Sequence, residues 1–275
     1  MLPPPGILRR FDLTAPEFVA ETAIARVWKA YRNDAAYALK IYFDPGLANE
    51  AAGVELMRRW NGRHAARMIR RDGPAILLEW LDGPSLGDLA REGDDQGSAR
   101  RLAAVAMGLR DLDIAPPFGA LTLEQNASAL LNLDLQAVDN TTLARNLGRA
   151  KDLAKELVGI GETALLHGDL HHDNIIAADR GDLVIDPKGL IAPPAFEFAN
   201  AFRNPRAAPD LTSDPNRAQM LTRTFAEISG LSETELLRFA AMKAGLSICW
   251  TLREGSVTRE SADSLSALMF SLTRT

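Results

Sequence analysis

Acidic, amide and histidine side chains are concentrated in one short run of the sequence, Leu166-His-Gly-Asp-Leu-His-His-Asp-Asn174. A second polar group follows an apolar stretch, in Leu183-Val-Ile-Asp-Pro-Lys-Gly189. Transfer of a phosphoryl group needs a carboxylate that orients or deprotonates the acceptor hydroxyl, together with oxygen ligands for Mg²⁺. Asp169, Asn174 and Asp186 supply these groups, so phosphoryl transfer is the chemistry that the two runs favour.

The spacing of these three residues matches that of a kinase active site. Asn174 lies five residues after Asp169, the separation between the catalytic base and the metal-binding asparagine of a kinase catalytic loop. Asp186 lies twelve residues further on, where a strand-end aspartate bridges Mg²⁺ to the phosphates. We therefore predict that Asp169 is the catalytic residue and that Asn174 and Asp186 bind the metal. The alternative is a polar turn in which the Asp and Asn side chains only cap the backbone.

Two lysines bear on the same hypothesis. A lysine on an N-terminal strand should hold the phosphates, and a glutamate on the next helix should hold that lysine. Lys40, in Ala-Leu-Lys-Ile, meets the first requirement; the alternative is an edge-strand lysine that blocks strand pairing. Glu50 and Glu55 both lie in the helical pattern that follows, about 140° apart on a helix, so only one can face Lys40. Lys188 either neutralises phosphate charge or pairs with a nearby acid, and both interpretations stay open.

The histidines allow a different interpretation of the polar run. His167, His171 and His172, together with Asp173, could bind zinc, since histidine and carboxylate are common ligands. No cysteine supports such a site, and it leaves the spacing of the aspartates and the asparagine unexplained. We favour instead a kinase-like role in which His167 supports the loop by hydrogen bonds.

The first third of the chain reads as strands with one helix. Alternating aromatic and branched residues predict a hairpin of strands Ala25–Arg32 and Ala36–Tyr42 with a turn at Asn33-Asp34. Pro45-Gly46 ends this pattern. A helix over Leu47–Trp60 and strands over Ala65–Arg70 and Ala75–Leu81 are predicted to follow, with a boundary at Gly83-Pro84.

The rest of the chain is helical in pattern. The predicted helices are Ser85–Arg91, Ser98–Leu112, Thr142–Leu157 and the region after Pro193-Pro194, with breaks at Ser213–Asn216 and Ser229–Ser232. A short apolar strand, Leu183–Ile185, follows the polar run. The sequence thus predicts an α+β fold of two domains, a nucleotide-binding lobe over residues 1–83 and a helical lobe over residues 84–275. Ligands commonly bind in the cleft that such an architecture creates.

Composition excludes several classes of protein. Among 275 residues, 36 acidic against 31 basic side chains give a net charge of −5, which disfavours binding to a nucleic-acid backbone. The single cysteine, Cys249, rules out an internal disulfide framework and fits a reducing compartment. The first residues lack the pattern of a signal peptide, and the longest apolar stretch, Leu102 to Leu109, is too short to cross a bilayer. We expect a soluble cytoplasmic protein that acts on a small partner.

On the basis of these residues, the sequence resembles the aminoglycoside phosphotransferase branch of the protein-kinase-like fold. Within that branch it is similar to the streptomycin 6-phosphotransferase and hydroxyurea kinase group. The matching elements extend from about residue 20 to 205: Val27-Trp-Lys29, Leu39-Lys40, Asn49-Glu50, Asn61-Gly-Arg63, Leu77-Leu-Glu79, the run His167 to Asn174, Val184-Ile-Asp-Pro-Lys-Gly-Leu190 and Ala199-Asn200.

The resemblance implies several further features. It aligns Glu50, not Glu55, with the partner of the lysine, and it implies an adenine-binding hinge at Glu79-Trp80-Leu81, contacted mainly through the backbone. ATP and Mg²⁺ are the implied cofactors. Two departures from the pattern stand out: the turn at Ala20–Arg26 has no Gly-x-Gly-x-x-Gly, and His64 replaces the glycine that usually follows Asn-Gly-Arg.

The implied acceptor is a hydroxyl group of a small, cationic molecule such as streptomycin, and hence the implied function is antibiotic resistance. A housekeeping metabolite kinase and a non-catalytic nucleotide-binding pseudokinase are the alternatives. A cationic acceptor should be bound by acidic side chains. For each candidate acid, however, an ordinary surface acid or a helix cap is the simpler interpretation. For Trp250, the simpler interpretation is a position in the core. The candidate acids are Glu197, Asp210, Asp214, Glu254 and Glu260.

Overall fold

The computed structural model describes residues 1–44, 47, 50–253 and 257–274, with the side chain of residue 253 left out. Four residues named above, Pro45, Gly46, Asn49 and Glu254, lie outside the described residues.

An antiparallel sheet forms the N-terminal part, and its strands β1–β5 lie in the order β1-β2-β3-β5-β4. The predicted hairpin is confirmed as β2 and β3, because Asn33 and Asp34 both take the positive φ angles that a tight two-residue turn requires. Helix α1 and strand β1 were not predicted; β1 is mostly exposed and lacks an alternating pattern. The elements are α1 (Pro5–Phe11), β1 (Thr14–Glu21), β2 (Ala25–Arg32), β3 (Ala35–Tyr42), α2 (Ala51–Trp60), β4 (Met68–Asp72) and β5 (Ala75–Glu79).

Helices and short strands form the larger C-terminal part. Both predicted breaks are confirmed, since helices end at Thr212 and Ser229 and the next ones begin at Pro215 and Glu233. The elements are α3 (Leu86–Arg91), α4 (Asp95–Arg110), β6 (Leu121–Thr122), α5 (Leu123–Leu131), α6 (Thr141–Leu157), β7 (Ala164–Leu166), β8 (Ile175–Ala178), β9 (Gly181–Val184), β10 (Leu190–Ala192), α7 (Pro209–Thr212), α8 (Pro215–Ser229), α9 (Glu233–Arg253) and α10 (Arg259–Ser271), with 3₁₀ segments at Leu135–Ala137, His172–Asn174 and Pro194–Arg203.

The two faces of the N-terminal sheet are covered by different helices. Phe11 of α1 packs on one face with Leu39 and Leu77, and Val54 and Met57 of α2 pack on the other. Because side chains alternate along β3, Leu39 faces α1 while the next residue, Lys40, faces α2. A separate, larger core unites the C-terminal helices. The predicted α+β architecture of a small sheet lobe and a larger helical lobe is confirmed.

Backbone contacts join the two lobes. The Ala66 amide donates to the Val184 carbonyl at 2.9 Å, and the Val184 amide donates to the His64 carbonyl at 2.9 Å. In the described part of the chain, no helix is both long enough and apolar enough to cross a membrane.

Candidate active site

Lys40 lies at the junction of the lobes and is almost fully buried. Its Nζ donates to Glu50 Oε2 at 3.0 Å and to Asp186 Oδ1 at 3.1 Å. Burial alone would lower the pKa of Lys40, but the charges of Asp186 and Glu50 raise it above the ordinary value, so the lysine stays charged. Strand β3, the start of α2 and the segment after β9 thus bring together three residues that the sequence assigned to one site.

The structure pairs Lys40 with Glu50 and not with Glu55, as the resemblance implied. Glu55 instead binds two arginines of its own helix, Arg58 at 2.7 Å and Arg59 at 2.9 Å. These arginines, Arg58 first, lower the pKa of Glu55 to about 2. Glu55 therefore belongs to the surface of α2.

Glu50 is held by more partners than the sequence suggested. Tyr42 donates its hydroxyl to Glu50 Oε2 at 2.7 Å, and Lys188 binds Glu50 Oε1. Burial opposes ionisation of Glu50, yet Lys40 and Lys188 lower its pKa below the ordinary value. Of the two interpretations left open for Lys188, the structure shows the pairing with an acid. Tyr42 was missed, although it is the second residue after Lys40 and so lies on the same face of β3.

A close backbone approach holds α2 against the segment that carries Asp186. A Cβ atom added to Gly53 would lie 1.7 Å from the Pro187 carbonyl oxygen, so only glycine fits at this contact. Asp186 itself takes a φ of 57°, a left-handed conformation that is uncommon for a residue with a side chain. The constraint keeps the Asp186 carboxylate next to Lys40.

His167 supports the loop that carries Asp169, as predicted. The Asp169 amide donates to His167 Nδ1 at 3.2 Å, so the neutral ring carries its proton on Nε2, which donates to the Ile185 carbonyl at 2.9 Å. Burial lowers the pKa of His167 to about 4 and keeps the ring neutral. Trp60 stacks on the ring, with centroids 6.1 Å apart.

Glu197 also supports the loop that carries Asp169. Its two carboxylate oxygens accept the amides of His167 at 2.9 Å and Gly168 at 3.1 Å, and burial raises its pKa to about 7. The interpretations of Glu197 as an acceptor-binding acid and as an ordinary surface acid are both wrong, because it is buried beneath the backbone of the loop.

Asp169 and Asn174 lie side by side. Asn200 Nδ2 donates to Asp169 Oδ1 at 2.8 Å, and Asn174 Nδ2 donates to the Asp169 carbonyl at 3.0 Å. Since its amide nitrogen is used in this way, Asn174 offers Oδ1 as a ligand atom. Asn200 was noted in the sequence only as a matching position, without a role.

Oxygen atoms of Asn174 and Asp186 are the donors that could hold a metal. The Asp186 side chain is 36% exposed and shares only one oxygen with Lys40. Amide and carboxylate oxygens fit Mg²⁺, which prefers hard ligands and keeps several waters. The zinc interpretation is not supported: the Nδ1 lone pair of His167 is already used by the Asp169 amide, and among the described residues no three His, Cys, Asp or Glu side chains form a metal-binding group.

Glu79 and Leu81 lie where the sheet ends and the chain passes toward α3. The Glu79 carboxylate accepts the Arg67 amide at 2.6 Å and binds Arg180 of the β8–β9 turn. Trp80 is held by its indole N–H, which donates to Asp82 at 2.8 Å. This segment is therefore tied to both lobes.

Two of the candidate acids have the simpler roles of a surface acid and a helix cap. Asp210 is exposed, Asp214 caps α8 by accepting the Asn216 amide at 2.8 Å, and Glu254 lies outside the described residues. Glu260 lines a cavity of about 340 Å³ together with Arg203. Glu260 of α10 thus has a basic residue, Arg203, beside it. The two lie far apart in the sequence, so only the fold brings them together.

Trp250 is also placed differently from the prediction. The core interpretation is wrong: Trp250 is 37% exposed, and the ammonium group of Lys243 lies over its ring, 4.6 Å from the centroid. Lys243 and Arg203 were both missed, although Lys243 is the one charged residue in the apolar run Phe239–Trp250, which is a signal in itself.

Known proteins similar to this chain share one activity class. A model of the aminoglycoside/hydroxyurea antibiotic resistance kinase family matches residues 10–255. The streptomycin 3″-kinase of Klebsiella pneumoniae is 34% identical over 219 residues, which cover 76% of this chain and 78% of that protein. The streptomycin 6-kinase of Streptomyces glaucescens is 27% identical over 265 residues, which cover 93% of this chain and 84% of that protein.

Solved structures agree on the fold. An aminoglycoside phosphotransferase in a ternary complex with AMP-PNP and hygromycin B superposes with a TM-score of 0.64 at 14% identity, covering 98% of this chain and 97% of that chain. A choline kinase from Streptococcus pneumoniae superposes with a TM-score of 0.68 at 12% identity and the same coverage. These similarities confirm the predicted protein-kinase-like fold.

Proposed function

Because the chain belongs to the aminoglycoside/hydroxyurea antibiotic resistance kinase family, and is thus a phosphotransferase that acts on hydroxyl groups of small molecules, we propose that it transfers the γ-phosphate of ATP to an aminoglycoside. Streptomycin is the first candidate, since two similar proteins are streptomycin kinases. The observation that carries the proposal is the contact of Lys40 with both Glu50 and Asp186, next to the loop of Asp169.

In this proposal the two lobes have different roles. Residues 1–83 hold the nucleotide, with Lys40 on its phosphates and the backbone of the Glu79–Leu81 segment on its adenine. Residues 84–275 carry the catalytic loop and the acceptor site. Glu50 keeps Lys40 in place, and Tyr42 and Lys188 in turn hold the Glu50 carboxylate.

Asp169 orients the acceptor hydroxyl and takes its proton. The hydroxyl oxygen forms a bond to the γ-phosphorus, and the bond from that phosphorus to the oxygen shared with the β-phosphate breaks. Asn200 keeps the Asp169 carboxylate in one orientation by its hydrogen bond at 2.8 Å. Asn174 and Asp186 would hold Mg²⁺, which neutralises phosphate charge when it is bound.

A coupled assay for ADP release tests the proposal. Streptomycin, hygromycin B, hydroxyurea, choline and a panel of sugars and amino alcohols serve as acceptors, with Asp169→Asn as the inactive control. We expect turnover with streptomycin, and a phosphorylated product by mass spectrometry. Turnover only with choline or a sugar would identify a housekeeping metabolite, and not an aminoglycoside, as the acceptor. Binding of ATP without any turnover would indicate a pseudokinase.

Expression in a streptomycin-sensitive bacterium tests the same proposal in cells. The wild-type protein should raise streptomycin tolerance, and Asp169→Asn should abolish the gain while expressing to the same level. An unchanged tolerance would reject streptomycin as the acceptor.

A further inference from the structure

A cavity of about 340 Å³ lies in the helical lobe. The end of the 3₁₀ segment Pro194–Arg203 and the residues after it form one wall, and α7 and the first turns of α10 form the other. Apart from Ala207, the residues that line the cavity are polar. Its volume falls within the range of small-molecule sites, about 300–1,000 Å³. The cavity therefore fits a small polar molecule.

Hydrogen bonds connect this cavity to the catalytic loop at two points. Arg203, which lines the cavity, donates from Nη1 to Asn200 Oδ1 at 3.5 Å, and Asn200 Nδ2 donates to Asp169 Oδ1 at 2.8 Å. Arg206, which also lines it, donates its backbone amide to Asp173 Oδ2 at 2.9 Å. A molecule bound in the cavity therefore lies beside the loop that carries the proposed general base.

The wall next to the catalytic loop is held in place by a buried arginine of α8. Arg217 donates to the Phe202 carbonyl at 3.4 Å and to the Asn204 carbonyl at 2.9 Å, and it pairs with Asp95 at 2.8 Å. Asn204, which lines the cavity, donates from Nδ2 to the Asn200 carbonyl at 2.8 Å. Because this wall is already fixed, a ligand does not have to order it on binding.

Residues of both charges line this cavity. Glu260 of α10 lies beside the cavity together with Arg203 and Arg206, and in the part of the chain that the structure describes none of the three forms an ion pair. Arg259, next to Glu260, binds Asp263 instead, at 3.5 Å. A carboxylate accepts hydrogen bonds from a cationic group, and a guanidinium group donates to hydroxyl, ether or carbonyl oxygens. The lining thus suits a molecule that carries both a cation and oxygen atoms.

Two hydroxyl groups support a hydroxylated ligand. Thr212 and Ser264 line the cavity and are only 4% and 3% exposed, and their hydroxyl oxygens have no hydrogen-bond partner among the described residues. Ser266 and Ser271, on the same helix as Ser264, donate to the carbonyl four residues earlier, as helical serines commonly do. Buried hydroxyl groups without a partner are uncommon. A ligand with hydroxyl groups would supply one.

We propose that this cavity binds the acceptor, and that the acceptor is a hydroxylated molecule with at least one cationic group. Glu260 binds the cationic group, whereas Arg203 and Arg206 donate to oxygen atoms of the acceptor. Because Arg203 is linked to Asp169 through Asn200, an oxygen-bearing part of the acceptor lies nearest to Asp169. The inference rests on the proposed function and specifies which chemical groups of the acceptor are recognised.

Steady-state kinetics test the role of Glu260. Streptomycin is the probe, or hygromycin B if streptomycin is not phosphorylated. Glu260→Gln removes the charge at the same size, so the KM of the acceptor should rise by about tenfold or more, while kcat and the affinity for ATP stay close to those of the wild type. Arg206→Gln should raise the same KM by about threefold. Asp263→Asn is the matched control, since Asp263 lies on the same helix, binds Arg259 and does not line the cavity.

A second variant tests the cavity independently of charge. Ser261 is partly exposed and lines the cavity, so Ser261→Trp should fill it. We expect this variant to lose transfer to the aminoglycoside while it binds ATP with unchanged affinity in isothermal titration calorimetry. A melting temperature close to that of the wild type shows that the variant is folded.

Four results would contradict the proposal in different ways. Equal increases of KM in Glu260→Gln and Asp263→Asn would indicate a long-range effect of charge and no binding site. An unchanged KM in Glu260→Gln would remove the cationic group from the proposal, and a lower KM would indicate an anionic acceptor. Undiminished transfer by Ser261→Trp would place the acceptor outside the cavity. All four leave the proposed function intact, whereas a wild-type protein that phosphorylates no aminoglycoside would reject the proposed function itself.

Discussion

At the scale of single residues, Asp169 presents its carboxylate from a loop that is fixed at several points. His167 accepts the Asp169 amide, Asn174 donates to its carbonyl, and Asn200 donates to its side chain. In the proposed mechanism, such constraint favours catalysis because the general base need not reorganise during the reaction.

Asp169→Asn should leave ATP binding almost unchanged while lowering kcat by about 10²–10⁴-fold, the usual range for a positioned general base. Isothermal titration calorimetry gives the ATP affinity and the coupled assay gives kcat. Asp179→Asn, at an exposed aspartate, is the matched control and should retain full activity. More than a tenth of wild-type kcat in Asp169→Asn would remove Asp169 from this role.

Glu50 and Glu55 provide a second test, because Glu50 is the N-cap of α2, Glu55 lies within α2, and the two differ in their partners. Glu50→Gln leaves Lys40 and Lys188 without their shared counter-charge, so kcat/KM for ATP should fall by about tenfold or more. Glu55→Gln breaks only surface contacts with Arg58 and Arg59 and should change kcat/KM little. Steady-state kinetics with varied ATP measure both. Equal effects of the two substitutions would contradict the assignment of Glu50.

At the scale of elements, the contact between α2 and the segment after β9 joins the element next to Glu50 to the segment that carries Asp186. Gly53 lies against Pro187, and Gly189 lies against Ala52, so two glycines permit the approach. The helix that carries Glu50 and the segment that carries Asp186 should therefore move together.

Gly53→Ala places a methyl group against the Pro187 carbonyl oxygen, so we expect a loss of about 1–3 kcal/mol in the free energy of unfolding, together with lower activity. Gly148→Ala is the matched control, since its Cβ in α6 would meet only Leu135 Cδ1 at 3.4 Å. It should be neutral or stabilising by up to about 1 kcal/mol. Urea denaturation measures both, and an unaltered stability of Gly53→Ala would show that the contact is not tight.

At the scale of the whole molecule, buried ionisable groups make stability depend on pH. His167, His171 and His172 are buried, and burial lowers the pKa of each, to about 4 for His167. Below about pH 6.5 the unfolded chain takes up protons on these histidines, and the folded chain does not. Glu197 acts in the opposite direction, because burial raises its pKa to about 7 and the folded chain holds a proton that the unfolded chain releases above its ordinary pKa.

Three histidines outweigh one glutamate, so the free energy of unfolding should decrease as the pH falls from about 6.5 toward 4. Each net proton contributes about 1.4 kcal/mol per pH unit. Urea denaturation at pH 7.0 and at pH 5.0 provides the measurement. Glu197→Gln removes the opposing group and should make the decrease steeper. A stability that is constant or rises over this interval would show that the histidines are not buried in their neutral form.

Short-range features of the molecule were readable from the sequence. The separation of Asp169 from Asn174 and Asp186 is a property of one loop and the hairpin of β8 and β9 that follows it, and Asn33-Asp34 forms its turn locally. The alternation along β3 also predicts that Lys40 points to a single face. Such patterns span few residues, so no distant part of the chain is needed to interpret them.

Only the tertiary structure decided which distant side chains meet these residues. It placed the Glu197 carboxylate against the backbone of the loop, linked Arg203 to Asp169 through Asn200, and left Trp250 exposed. A helical pattern shows which residues share a face but not which neighbour that face meets, because packing against α9 depends on elements far away in the chain. The proposed catalytic residues could therefore be predicted from spacing, whereas the distant side chains that contact their loop could not.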